Sequence, residues 1–239
     1  MNNLENLPNT IKAKPHWRVQ ITPAVFKADL IPSLKACWEI MESCRVSLRG
    51  WDYPHVHQDR RANGKDWIAS AASNIYTEYW RFYQSGQFLH LFSFKEDKSF
   101  HELIEMAPGK ILGFSREESC TGFLDVTQSL YSFTEIFEFA KRIAVRVPFT
   151  DSVNIHIKME GTQNRVLITT EQFSELHGVY RASEDSLDNE WSASVPDLIS
   201  RSAELAREAT LWFFERFGWM DVPDQPLVER QKELLERRR

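Results

Sequence analysis

The sequence has no G-x-G-x-x-G or Walker A loop, no H-E-x-x-H, no EF-hand loop and no G-x-S-x-G. The common dinucleotide, phosphate-cradle, zincin, calcium and nucleophile-elbow chemistries therefore have no foothold in it, and any cofactor stays unassigned. Glycine is scarce at 9 and proline at 10 among 239 residues, which excludes collagen-like and low-complexity chains. The only cysteines are Cys37, Cys44 and Cys120, odd in number and without a C-x-x-C pair, so the thiols read as those of a reduced cytosolic core. Cys120 stands between Ser119 and Thr121 with no histidine nearby and makes no convincing nucleophile. No apolar run reaches the roughly 18 residues of a membrane span, and the polar start holds no signal-peptide core, so a cytoplasmic location with no membrane partner is expected. A large charge of one sign is lacking too: 29 Lys and Arg against 34 Asp and Glu leave −5. That balance argues against a duplex-coating protein and still allows a local basic groove.

What is present is aromatic bulk, 16 Phe, 8 Trp and 6 Tyr within a hydrophobic share of 42%. A chain of this length and content buries a sizeable core. Residues 1–15 are polar and aperiodic and read as a flexible arm before a short strand at 17–21. Leu34, Cys37, Trp38, Met41 and Cys44 then recur at helical spacing, with Asp29 as the expected N-cap and Pro32 in the first turn. A short strand at 46–49 leads into a polar loop through Asn63-Gly64-Lys65. Two aromatic and β-branched runs flanking Ser85-Gly86 have the form of a hairpin, and bulk on both of its faces predicts a central place in a sheet.

Further on, a short helix is expected at 100–106 and strands at 111–115 and 122–126. The run Ser132-Phe133-Thr134-Glu135 has the pattern of a capping box opening a long helix. Val153, Ile155, Ile157 and Met159 alternate with polar residues, and a turn at 161–164 predicts a half-exposed hairpin returning over 165–169. After a third strand near 189–192, Ser194 is placed to cap a final long helix that stops at Gly218. The expected class is α+β, with mixed or antiparallel sheets built from hairpins and packed with about three longer helices. Residues 16–219 form one body in this reading, with a seam between two pseudo-lobes left open near 126–132. Residues 220–239 are a charged tail able to form an amphipathic helix with Leu227, Val228, Leu234 and Leu235 on its apolar side.

The densest polar cluster runs from Arg49 to Arg61. Between Arg45 and Lys65 five basic residues face two acidic ones, a local +3 in a negative chain. Interleaved aromatics make that strip fit phosphate and base contacts. In this reading Trp51 and Tyr53 stack or anchor, Arg49, Arg60 and Arg61 meet negative charge, and Trp80, Arg81 and Tyr83 form the wall of a concave surface. The occupant would be a nucleotide, a nucleic acid or a protein partner. The same rings at strand spacing also fit a core. His55 and His57, with Asp52, are the alternative: alternate residues of an extended chain point the same way and could hold a metal that activates water, as in a hydrolase or nuclease. A loop pinned by Trp51 and Tyr53 with solvated histidines fits the same residues. A third reading makes the exposed faces contacts of a homo-oligomer.

Over SLRGWDYPHVH and EYWRFYQSGQFLHLF the chain resembles uncharacterised prokaryotic proteins that occur with DNA-binding or ATP-binding modules of the Schlafen-like AlbA type, across roughly residues 17–95. The resemblance carries no catalytic residues. It implies a prokaryotic accessory or sensing module in regulation or defence, in keeping with a non-catalytic recognition role.

Overall fold

Side chains alternate faces along a strand, and the strongest period-two segments here assemble into one antiparallel sheet. A computed structural model describes residues 6–57, 60–73, 77–115, 119–149, 152–170 and 176–236. In chain order the elements are α1 (Leu7–Lys12), β1 (His16–Pro23), α2 (Leu34–Cys44), β2 (Val46–Ser47), β3 (Asp52–Tyr53), β4 (Arg61–Asn63), β5 (Trp67–Ser73), β6 (Thr77–Tyr83) and β7 (Phe88–Ser93). They continue with α3 (Phe100–Met106), β8 (Gly122–Asp125), α4 (Val126–Arg146), β9 (Ser152–Glu160), β10 (Arg165–Ile168), β11 (Ser186–Ser194), α5 (Val195–Arg216) and α6 (Asp224–Glu236). The seven-stranded sheet has the order β11-β9-β1-β7-β6-β5-β4, and β10-β8 and β2-β3 form two-stranded sheets. The expected α+β class holds, with the Ser85-Gly86 hairpin inside the large sheet.

One face of that sheet is sealed. Trp17, Val19 and Ile21 of β1, Trp80 and Phe82 of β6, Phe88 and Phe92 of β7, and Val153 to Met159 at alternate positions of β9 are buried there. The helices reach this face through rings: Trp38 of α2 meets Trp80 at 5.7 Å, Phe139 of α4 meets Phe88 at 4.8 Å, and Phe213 of α5 meets Trp191 at 6.2 Å. Such edge-to-face and tilted packing adds to the area buried. On the same face Glu78 and His90 form a fully enclosed pair at 2.9 Å. The other face carries Arg18, Gln20, Leu89, Arg81, Tyr83, Trp67, His156 and Lys158, all half-buried. There α1 packs by burying Ile11 against Ala69, Ala71, Tyr79 and Leu91.

Several local expectations shift. Helix α2 starts at Leu34, capped by Ser33, whose Oγ accepts from the Ala36 amide at 3.1 Å; Asp29 plays no such part. Pro32 disfavours helical geometry in Ile31, which instead exchanges bonds with Gln84 at 2.8 and 2.9 Å. Helix α4 opens two turns before the expected capping box, because Asp125 accepts from the Gln128 amide at 2.7 Å; Ser132 lies inside the helix and bonds back to the Gln128 carbonyl. The expected 153–169 hairpin does not form. Gly161 and Asn164, at φ 72° and 65°, divert the chain, β9 pairs with β1 and β11, and β10 pairs in parallel with β8. All four residues of β10 are buried, the pattern of a strand covered on both sides. Residues 111–115 form no strand: Ile111 makes a single bridge with Leu176, and Gly113 turns the backbone at φ 82°.

The stretch around Asn63-Gly64-Lys65 is a hairpin turn between β4 and β5 instead of a polar loop. Strand β5, WIASAAS, had no strand signal because alanine and serine are weak strand formers; their small size lets α1 approach. Gly64 leaves room for the Trp67 ring, since a Cβ there would sit 2.2 Å from Nε1. At the chain's end α6 buries Leu227, Gln231 and Leu234, and Gln231 donates to Thr134 of α4 at 3.0 Å and to the Ala203 carbonyl of α5 at 2.7 Å. Arg237 to Arg239 lie outside the described residues. Among the described residues no helix is long and apolar enough to cross a membrane.

The two faces predict opposite responses to truncation. Trp80→Ala, which empties a fully buried site, is expected to cost about 3–5 kcal/mol of unfolding free energy, whereas Gln20→Ala on the open face stays within about 0.5 kcal/mol. Urea denaturation of both variants measures the difference.

Candidate functional site

The described residues between Arg49 and Arg61 lie against the helix side of the sheet, and most of their charge is spent internally. Arg49 Nε donates to Glu135 Oε1 at 3.0 Å, Nη1 to Gln128 at 2.9 Å and Nη2 to Ser132 at 3.3 Å, with both charged side chains buried. The guanidinium also lies 5.1 Å from the Trp51 ring centre. Tyr53 is buried edge-on to His90 and Phe139. Trp80 is fully enclosed, its Nε1 donating to the His55 carbonyl at 2.8 Å. Arg61 pairs with Glu42 at 2.8 Å and covers the Trp38 ring at 4.5 Å. Arg60 is half-buried, and its backbone ties the loop to His57 and Ala71.

The expected single concave surface is therefore divided by the sheet itself. Arg49, Tyr53 and Trp80 are locked on the sealed side, while Arg81 and Tyr83, neighbours of Trp80 in sequence, face the other way. The metal grouping is not assembled either. His55 and His57 have ring centres 6.0 Å apart, and the Asp52 carboxylate is taken by Arg45 and Ser47. The Glu78 carboxylate is held by His90, and Asp59 lies outside the described residues. Among the described residues no three His, Cys, Asp or Glu side chains come together as metal ligands.

Beside Arg49, Lys95 holds its ammonium 4.4 Å above the other end of this cluster, the Trp51 ring. Burial, with the Arg49 charge second, lowers its pKa from 10.5 to about 8. Next to it, burial pushes the Glu96 carboxyl up, although it accepts from the Asp125 amide at 3.0 Å. The space between Lys95, Glu96, Ser129 and the stacked Trp17 and Phe92 is only about 20 Å³, room for about one water. A larger cavity, about 890 Å³, opens between the start of α4, Tyr180, Trp219 and α6. Its rim mixes Asp221 and Glu229 with an Arg230–Glu233 pair at 3.2 Å.

The open sheet face has a different electrostatic character. The Arg81 guanidinium sits 4.1 Å from the Trp67 ring centre, and donates to the Tyr79 hydroxyl at 2.9 Å and to the Tyr83 hydroxyl at 3.4 Å. No carboxylate pairs with it among the described residues. Toward β1 and β9, a cleft of about 570 Å³ is lined by Lys12, Lys14 and Arg18, opposed by Glu160 and Asp185. Lys158 neutralises Glu160 at 2.6 Å. Trp67, Lys12, Lys14 and Arg18 were not singled out from sequence; the run KAKPHWR, with a cation at nearly every second position, is the signal that could have found them.

Comparison with family models, with curated proteins and with solved structures finds no match to this chain.

Two measurements test the buried cluster. Glu135→Ala leaves Arg49 buried without its countercharge and should cost about 3–5 kcal/mol, read by urea denaturation. Lys95 sets a pH dependence. Below pH about 8 it is charged folded and unfolded, and its burial opposes folding; between about 8 and 10.5 the unfolded chain keeps the proton that the folded chain has released, so stability rises with pH. Lys95→Met should thus be more stable than the parent at neutral pH, by a margin that narrows as the pH rises through that window.

Proposed function

We propose that the chain is a non-catalytic recognition module that holds an anionic, phosphate-bearing ligand on the open face of its seven-stranded sheet. One observation carries this reading: Arg81 is held in place by Trp67, Tyr79 and Tyr83, with no acidic partner among the described residues. By contrast, the buried arginines Arg49 and Arg165 are neutralised within the chain, by Glu135 and by Asp97 at 2.7 Å. A guanidinium already fixed in direction loses little rotamer freedom when an anion arrives, and a charge-assisted bond to phosphate contributes about 1.5–3 kcal/mol. The half-buried ring of Tyr83 offers an apolar wall beside that charge. The resemblance over residues 17–95 adds the proposal that such a module acts in prokaryotic regulation or defence.

Titration with inorganic polyphosphate, followed by tryptophan fluorescence, tests the reading. Binding should weaken as salt is raised, and Arg81→Ala should lower affinity about 10- to 100-fold with the melting temperature retained. Arg81→Lys, which keeps the charge but not the fork, should fall between. Equal binding by parent and Arg81→Ala, or no binding at all, overturns it.

A further inference from the structure

We infer that the occupant of this face is single-stranded nucleic acid, with bases stacked at Trp67 and Tyr83 and the backbone led past Arg81 to the Lys12, Lys14 and Arg18 cleft. The inference rests on the reading above and narrows it from any phosphate-bearing ligand to one polymer. Register places the parts. On one row of the open face, Ala69, Arg81, Leu89, Gln20, His156 and Glu190 succeed one another from β5 to β11; Arg18 lies on the next row of β1. Arg81 on β6 and Arg18 on β1 are separated by two strand intervals and one row, about 12 Å. A ligand with a single phosphate reaches one of these cations, whereas a chain with repeated phosphates reaches both.

Charge bounds the path. Lys12, Lys14, Arg18 and Arg81 have no ion-pair partner among the described residues. In the cleft itself Glu160 is occupied by Lys158, which leaves Asp185 against three cations. At the far edge Asp188 and Glu190 of β11 are exposed and repel a phosphate backbone, confining it to the β5–β1 side. Between the two cationic ends lie Leu89 and Gln20, an apolar contact and an amide that both suit bases or sugars. Stacking decides the strandedness. A ring face offered on a sheet takes an unpaired base, and the bases of a duplex are already stacked on each other.

The test compares a labelled single strand of about ten nucleotides, within the range one small fold covers, with its duplex and with heparin, a polyanion that has no bases. Fluorescence anisotropy at several salt concentrations gives affinity and salt slope. Four phosphate contacts predict a slope of log K against log salt near −3 for the single strand, and the Lys12→Ala, Lys14→Ala, Arg18→Ala triple variant should make it shallower by about 2. Trp67→Ala with Tyr83→Ala should weaken the single strand about tenfold more than heparin, which loses only the hold these rings keep on Arg81, while Trp67→Phe keeps a stacking ring and retains binding. Heparin or duplex binding as tightly as the single strand overturns the nucleic-acid assignment and leaves the anionic site standing. Failure of polyphosphate, heparin and single strand alike overturns both.

Discussion

Adjacent residues of a strand point to opposite sides of its sheet, and this constraint decides what each aromatic in β6 can do. Trp80 goes to the helix side and disappears beneath Trp38; Arg81, one residue on, goes to the other side and stays half in solvent. Because α2, α4 and α5 all bring rings to one face, the sheet is a partition between an enclosed core and a half-exposed surface. A one-residue slip in register would exchange the two sets and bury the arginine in place of the tryptophan.

Charge follows the same partition. On the sealed side two buried arginines are matched: Arg49 with Glu135, and Arg165 with Asp97 while its guanidinium lies 3.9 Å from the Phe94 ring centre. Removing charges from water is costly unless geometry and extra hydrogen bonds compensate, and Arg49 obtains both from Gln128 and Ser132. These bonds join the loop after β2 to helix α4, so they hold the fold and leave no donor set free for a ligand. On the open side Arg81 and Arg18 need no such compensation because water still reaches them. The cost of leaving a cation unmatched is low there, and an arriving anion displaces only solvent.

Legibility in the sequence tracks how local the deciding physics is. The hairpin around Ser85-Gly86, the helix at 100–106 and the Ser194 cap were readable because each depends on residues within one turn or one strand. The Ser194 hydroxyl accepts from the Asp197 amide, a contact fixed by a separation of three. Strand β5 was not readable, since its alanines are selected by α1 lying over them. The start of α4 was misplaced because Asp125 is secured from outside the helix, by the Thr170 amide and hydroxyl at 2.9 and 2.7 Å. Of the residues nominated for a binding surface, Arg81 and Tyr83 lie on the open face; Arg49, Tyr53 and Trp80 were drawn to the core by partners far along the chain.

Composition and periodicity alone determined an α+β body with an aromatic hairpin in its sheet, since apolar spacing is a property of neighbouring residues. Which side of that hairpin faces solvent was decided only when the helices docked, because alternation supplies two faces and only packing tells them apart. The parallel pairing of β10 with β8 and the meeting of Arg49 with Glu135, 86 positions apart, belong to the same category. Each depends on surfaces that exist only after the chain has folded.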